Sequence, residues 1–251
     1  MKMQRIGIVL SGGGALSVAH LGLLKVLEEH EIKPTHFSAN SAGAIIAALY
    51  YHNYSVEEIL EIIQTENWLS VPFDKLKKQK ILSVNDMFES FQKYFPEQFD
   101  SEFLNILAAD INSGALINYN KGDLRTILKA SAALSTFLKP VNYLGRDLVD
   151  SALLNNFNVE PLINNCDVIY GSYAIPMTTY NPKYEENVQQ LSNRLFTING
   201  YQRAKEKFKF CDYMFDHQYL TGFKVLDKDK MDIIYEKSYA YCKEVFTSVA
   251  I

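Results

Sequence analysis

The run RIGIVL at residues 5–10 ends on Ser11-Gly12-Gly13-Gly14 and passes at once into a helical pattern over residues 18–30. In that stretch Ala19, Leu23, Val26 and Leu27 fall on one face, with Lys25, Glu28 and Glu29 on the other. This is the period of an amphipathic helix. A short strand that turns through bare glycines into a helix is the opening of an α/β unit, and it commits the next strand to a parallel neighbour. It also leaves backbone N–H groups uncovered at a helix N-terminus, where negative charge is favoured.

The alternation continues. Lys33-Pro34 breaks the first helix, residues 35–39 form a second short strand, and a small-residue helix covers 41–51. Ser55-Val56-Glu57-Glu58 is a capping box that opens a third helix ending near Glu66. Further on, a strand over 104–111, a turn at Asn112-Ser113-Gly114 and a partner strand over 115–119 make a hairpin. A helix over 123–134, a strand ending at 147–150 and an apolar strand over 167–174 follow. From residue 186 the chain reads as mainly helical.

Residues 66–100 differ in texture, being aromatic-rich with Pro72, Pro96 and the lysines Lys75, Lys77, Lys78 and Lys80. They read as a helical surface insertion. Its basic-aromatic part, 68–80, is a candidate for peripheral contact with an anionic membrane, and a solvated lysine face is the plainer alternative.

A chain of 251 residues with this pattern is expected to form one domain. Apolar residues at 48% and charged residues at 22% exclude a disordered chain. The net charge of −4 argues against a nucleic-acid partner held by phosphate neutralisation. The longest apolar stretch, 42–51, falls well short of the ~18 residues of a membrane span. The N-terminus has no long apolar segment of the leader type, and Cys166, Cys211 and Cys242 form no CxxC pair. A cytoplasmic location, with no metal site and no cofactor, is the expectation.

The glycine loop has several uses open to it. A dinucleotide site would need a third small residue in G-x-G-x-x-G and an acid about 20 residues on. Here Ser17 takes the third position and the next strand ends in Ala39-Asn40-Ser41. A Walker loop would need a lysine, which is absent. An oxyanion hole needs only the N–H groups. A tight turn that uses glycine for its backbone freedom is the plainest alternative.

Ala39-Asn40-Ser41-Ala42-Gly43-Ala44 lies between the second strand and its helix, and reads as a G-x-S-x-G elbow with alanine for the first glycine. The small neighbours would let Ser41 project from a sharp turn. Ser41 as a simple helix N-cap is the alternative. A serine nucleophile needs a base. Of the histidines, His20, His30, His36 and His52 lie in or beside structural elements. His217 follows Ser41 and Asp150 in hydrolase order but sits in CDYMFDHQYL, where packing is the better reading. Asp150, at a strand end before Ser151-Ala152, is the stronger candidate.

Taken together, residues 8–15, 40–44 and 149–162 resemble, in order, the three signatures of patatin-like phospholipases. The resemblance extends over most of 5–175. It implies a three-layer α/β/α sandwich with a mostly parallel central sheet and a Ser–Asp dyad without histidine, acting on acyl esters of lipids. Carried over, Ser41 is the nucleophile, Asp150 the base, and Gly12, Gly13 and Gly14 the oxyanion hole. Ala39, Asn40, Ala42 and Gly43 form the elbow, and Ser151 and Ala152 complete the acid motif. Four positions depart from the family pattern: Leu16 and Ser17 replace a basic residue and glycine, and Ala39 and Ser151 replace glycines. Leu16 is expected to remove a cation near the loop and shift preference toward neutral esters. A catalytically weak or inactive lipid-binding protein is the alternative function.

Overall fold

The structure is a computed structural model that describes residues 4–66, 83, 88–134, 138–179 and 188–249. The basic-aromatic stretch at 68–80 lies outside the described residues. Strand β1 (Ile6–Leu10) is followed by a 3-10 turn (Gly14–Val18) and helix α1 (Ala19–Glu29), then β2 (His36–Asn40), α2 (Ser41–Tyr51) and α3 (Val56–Thr65). The capping box forms as expected, with Ser55 and Glu58 each bonding the other's backbone N–H. Next come β3 (Gln98–Asp100), β4 (Leu104–Asp110), β5 (Leu116–Tyr119), β6 (Lys121–Asp123) and α4 (Leu124–Ser131). The chain continues with β7 (Val141–Tyr143), β8 (Arg146–Asp150), β9 (Val168–Tyr173), α5 (Val188–Lys205), β10 (Tyr213–Asp216) and α6 (Met231–Val249).

The main sheet runs β10-β9-β1-β2-β4-β8-β7, with β5 also paired to β4. The strands β10, β9, β1, β2 and β4 are parallel, whereas β5 and β8 pair antiparallel to β4. Side chains alternate across it, as a pleated strand requires. Ile8 and Leu10 of β1 pack with α1, α2, α4 and α6, while Val9 packs with Phe157, Val159 and Leu162 and with Tyr201 and Ala204 of α5. Helices therefore cover both faces, in the three-layer α/β/α arrangement anticipated from the sequence.

Two features depart from the sequence reading. The C-terminal region contains a strand, β10, that extends the sheet beyond β9 and stacks Tyr213 on Tyr170 at 4.9 Å. Its pairing partner lies far away in the chain, so local pattern did not reveal it. β3, at the end of the region read as helical, also pairs antiparallel with β6 in a small separate sheet.

Candidate active site

The sheet register brings the site together. Asn40, the last residue of β2, pairs with Leu107, and Asp150, the last of β8, pairs with Ala108, the next residue along β4. The ends of two strands that flank β4 thus meet at one point, which lies beside the end of β1.

Helix α2 begins at Ser41 with no intervening loop. Ser41 has φ 54°, in the left-handed region, which costs a non-glycine residue about 1–2 kcal/mol. Two bonds hold it there. Its N–H donates to Ser131 Oγ at 2.8 Å, and the Ser131 hydroxyl donates to the Leu107 carbonyl at 2.7 Å. The N-cap position belongs to Asn40, so Ser41 is the head of the helix rather than its cap. The side chain is half-buried. Ala39 and Ala42 are core residues on either side.

Asp150 is 2% exposed. Its carboxylate accepts the Ala152 N–H at 2.9 Å, and the Ser41 hydroxyl and the Asn40 side chain are near enough to lower its pKa. Burial pushes its pKa up to about 6, against the pull of the Ser41 hydroxyl, the Ala152 N–H and the Asn40 side chain. A carboxylate in this range beside a strained and accessible serine is chemically able to accept a hydroxyl proton. Ser151 stabilises the turn that follows, donating its hydroxyl to the Asn155 carbonyl at 3.2 Å.

The glycine loop presses directly against the elbow. A β-carbon on Gly43 would lie 2.4 Å from the Ser11 carbonyl oxygen, and one on Gly12 would lie 2.7 Å from Ser41 Cβ. Only hydrogen fits at either place. The Gly12 N–H donates to Asn156 Oδ1 at 3.0 Å, and this corrects the expectation that all three glycines offer free donors. The Gly12 carbonyl accepts from Ser11 Oγ at 3.1 Å and Asn156 Nδ2 at 3.3 Å, and the Gly13 carbonyl accepts from the Leu16 N–H at 3.1 Å. Among the described residues, the Gly13 and Gly14 N–H groups find no acceptor. The two peptides that carry them are therefore held by their carbonyl ends, with their donors open.

Asn156 Oδ1 also accepts from Asn40 Nδ2 at 2.9 Å, which ties loop to elbow. Sequence context assigns no role to Asn156 or Ser131. Nothing in their local pattern reveals one, because each acts on a strand end distant in sequence. His217 is fully buried, and its ring nitrogens are engaged by Ser172 and Tyr219. Leu16 is 2% exposed and packs in the main core, so the missing cation is a core position. Ser17 is buried as well. Among the described residues, no cluster of three or more His, Cys, Asp or Glu could hold a metal ion, and no helix is long and apolar enough to cross a membrane.

A mostly parallel α/β/α sandwich with a glycine loop and a serine elbow at adjoining strand ends defines the class. A model of the patatin-like phospholipase family matches residues 8–163. The chain belongs to that family, which is one of lipid ester hydrolases. It is 22% identical to the protein named Lysophospholipase NTE1 of Meyerozyma guilliermondii, over 99% of this chain and 20% of that one. It is 25% identical to Patatin-like phospholipase domain-containing protein 6 of Mus musculus, over 96% of this chain and 20% of that one. The chain thus spans about a fifth of the length of these relatives. In fold it is similar to the crystal structure of VipD from Legionella pneumophila, with a TM-score of 0.58 at 13% identity over 98% of this chain and 67% of that one.

Proposed function

We propose that the protein is a serine acyl hydrolase that cleaves carboxylic esters of lipids through Ser41 and Asp150. The observation that carries this reading is the buried Asp150 carboxylate, lifted to about 6 with the Ser41 hydroxyl beside it, at a glycine loop with two unengaged N–H groups. As Ser41 Oγ bonds to the acyl carbonyl carbon, its proton passes to Asp150. The carbonyl oxygen takes up negative charge and accepts hydrogen bonds from the Gly13 and Gly14 N–H groups. Collapse breaks the ester C–O bond, and the departing alcohol oxygen takes the proton from Asp150. Water then attacks the acyl-serine, giving its proton to Asp150, which returns it to Ser41 as the fatty acid leaves.

The names of the relatives make phospholipids and their monoacyl forms the first substrates to test. Peripheral contact with a lipid surface is part of the same reading. It is supported by Val188, Leu191 and Leu195, which leave an apolar stripe along α5 at 83%, 45% and 59% exposure. A fluorophosphonate probe is expected to label Ser41 alone, and Ser41→Ala to lose both labelling and hydrolysis of lysophospholipid. Labelling that persists in Ser41→Ala would sink the assignment. Co-sedimentation with anionic vesicles tests the surface contact.

A further inference from the structure

His20 and His217 take no part in the steps above, yet they form a continuous row beneath the glycine loop. Both are fully buried, as is Ser172 between them. His20 Nε2 lies 2.8 Å from the Ser11 carbonyl oxygen and its Nδ1 2.7 Å from Ser172 Oγ. Ser172 Oγ lies 2.8 Å from His217 Nε2, and His217 Nδ1 lies 2.8 Å from the Tyr219 hydroxyl. The row joins α1, the end of β9 and the segment after β10.

Its direction is fixed by one end. A carbonyl only accepts, so His20 Nε2 carries the proton and donates to Ser11. Burial lowers the pKa of both rings, His20 to about 4 and His217 well below its ordinary value. Each ring is therefore neutral, with one donor and one acceptor nitrogen. The Ser172 hydroxyl must donate to His20 Nδ1, so it accepts from His217 Nε2–H. The Tyr219 hydroxyl then donates to His217 Nδ1. Every bond points toward Ser11.

The far end of the row matters because of what shares its peptide. The Ser11 carbonyl and the Gly12 N–H belong to one peptide unit, held by His20 on one side and by Asn156 Oδ1 on the other. Ser11 also bonds the Gly12 carbonyl through its hydroxyl and accepts the Ala174 N–H at 2.9 Å. The peptide that follows carries the open Gly13 N–H.

We propose that His20, Ser172 and His217 are positioning residues, a one-way hydrogen-bond chain that orients the Ser11–Gly12 peptide and thereby aims the Gly13 and Gly14 N–H groups at the reacting carbonyl oxygen. This rests on the reading of the loop as an oxyanion site. A chain that merely satisfies buried polar groups would support the fold without touching the chemistry, and kinetics per active site separates the two.

The full chain is assayed on a short-chain p-nitrophenyl ester, with rates normalised to the fraction labelled by a fluorophosphonate. His20→Leu and Ser172→Ala are expected to lower kcat by about tenfold or more with KM within about twofold, because a misaimed donor weakens the transition state rather than binding. His20→Gln, whose amide can still donate to the Ser11 carbonyl, is expected to recover most of kcat. Unchanged kcat per labelled site in both His20→Leu and Ser172→Ala would overturn the proposal. Should those variants fail to fold, imidazole nitrogen NMR of the wild-type protein decides. Both rings are expected to be neutral with the proton on Nε2, and a proton on His20 Nδ1 would overturn the chain's direction. Hydrolysis that survives Ser41→Ala would instead sink the functional reading, an outcome separate from all of these.

Discussion

Gly12 and Ser41 stand so close that a β-carbon on the glycine would lie 2.7 Å from that of the serine. The would-be side chain also meets Asn156 Oδ1 at 2.8 Å. Gly12→Ala must therefore push the glycine loop and the elbow apart. A misplacement of this size at reacting groups costs about a hundredfold in rate. The expected result is that loss in kcat/KM together with a lowered thermal melt, because Gly12 is buried and the strain falls on packed groups. Activity near the wild-type level would show that the two loops need not touch.

The raised pKa of Asp150 fixes the direction of the pH dependence. In the proposed dyad Asp150 has to be ionised to accept the Ser41 proton, so kcat/KM is expected to rise with pH through about 6 and level off above it. Measuring the profile on a non-ionising ester isolates the enzyme's own group. A limb near the ordinary carboxylate value would remove burial as the tuning device.

The same shift affects stability with its own sign. The folded-state value of about 6 exceeds the ordinary 3.8, so Asp150 stabilises the fold below the ordinary value and loses that contribution as pH rises through about 6. Above that range the buried charge costs the fold about 3 kcal/mol. Asp150→Asn is expected to abolish turnover and to raise the melting temperature at alkaline pH, with the gain vanishing in acid. Melting curves across pH test this, and a variant less stable at every pH would contradict it.

Asn156→Ala should affect both loop and elbow. Removing the amide strands the Gly12 N–H and Asn40 Nδ2, and deprives the Gly12 carbonyl of a donor. Buried groups left without partners cost about 1–3 kcal/mol each. The expected outcome is a destabilisation of about 2–4 kcal/mol in denaturant unfolding together with a fall in kcat. Loss of stability without loss of kcat per labelled site would limit Asn156 to a structural role.

Leu16→Arg distinguishes a specificity device from a core position. Leu16 is almost fully buried among α1 and its neighbours, so an arginine there would bury an unpaired charge. Folded protein is expected to be lost, and activity on neutral and anionic esters to fall together. A selective gain on anionic substrates would restore the idea that the family's cation is missed here.

How far the sequence could be read depended on how local each feature is. The strand–glycine–helix opening, the capping box at Ser55 and the small-residue elbow at Ser41 rest on backbone preferences within a few residues, and each appears where it was expected. Asp150 was singled out because strand ends leave their mark in the adjoining residues. β10 escaped notice because an edge strand is made by its neighbour, and the 213–216 segment by itself reads equally well as part of a helix.

Most of the alternation of strands and helices, the order of the motifs and, through them, the family are written in local sequence. These follow from dihedral preference and hydrophobic period, which act along the chain. Long-range packing settles which glycine N–H groups stay open, since the Gly12 donor is taken by Asn156, 144 residues away. It also decided the backbone of Ser41, held through Ser131 at a separation of 90 residues, and the near-neutral acidity of Asp150, which depends on burial. Chemistry at this site is set by contacts between strand ends, and those exist only once the sheet has brought distant residues together.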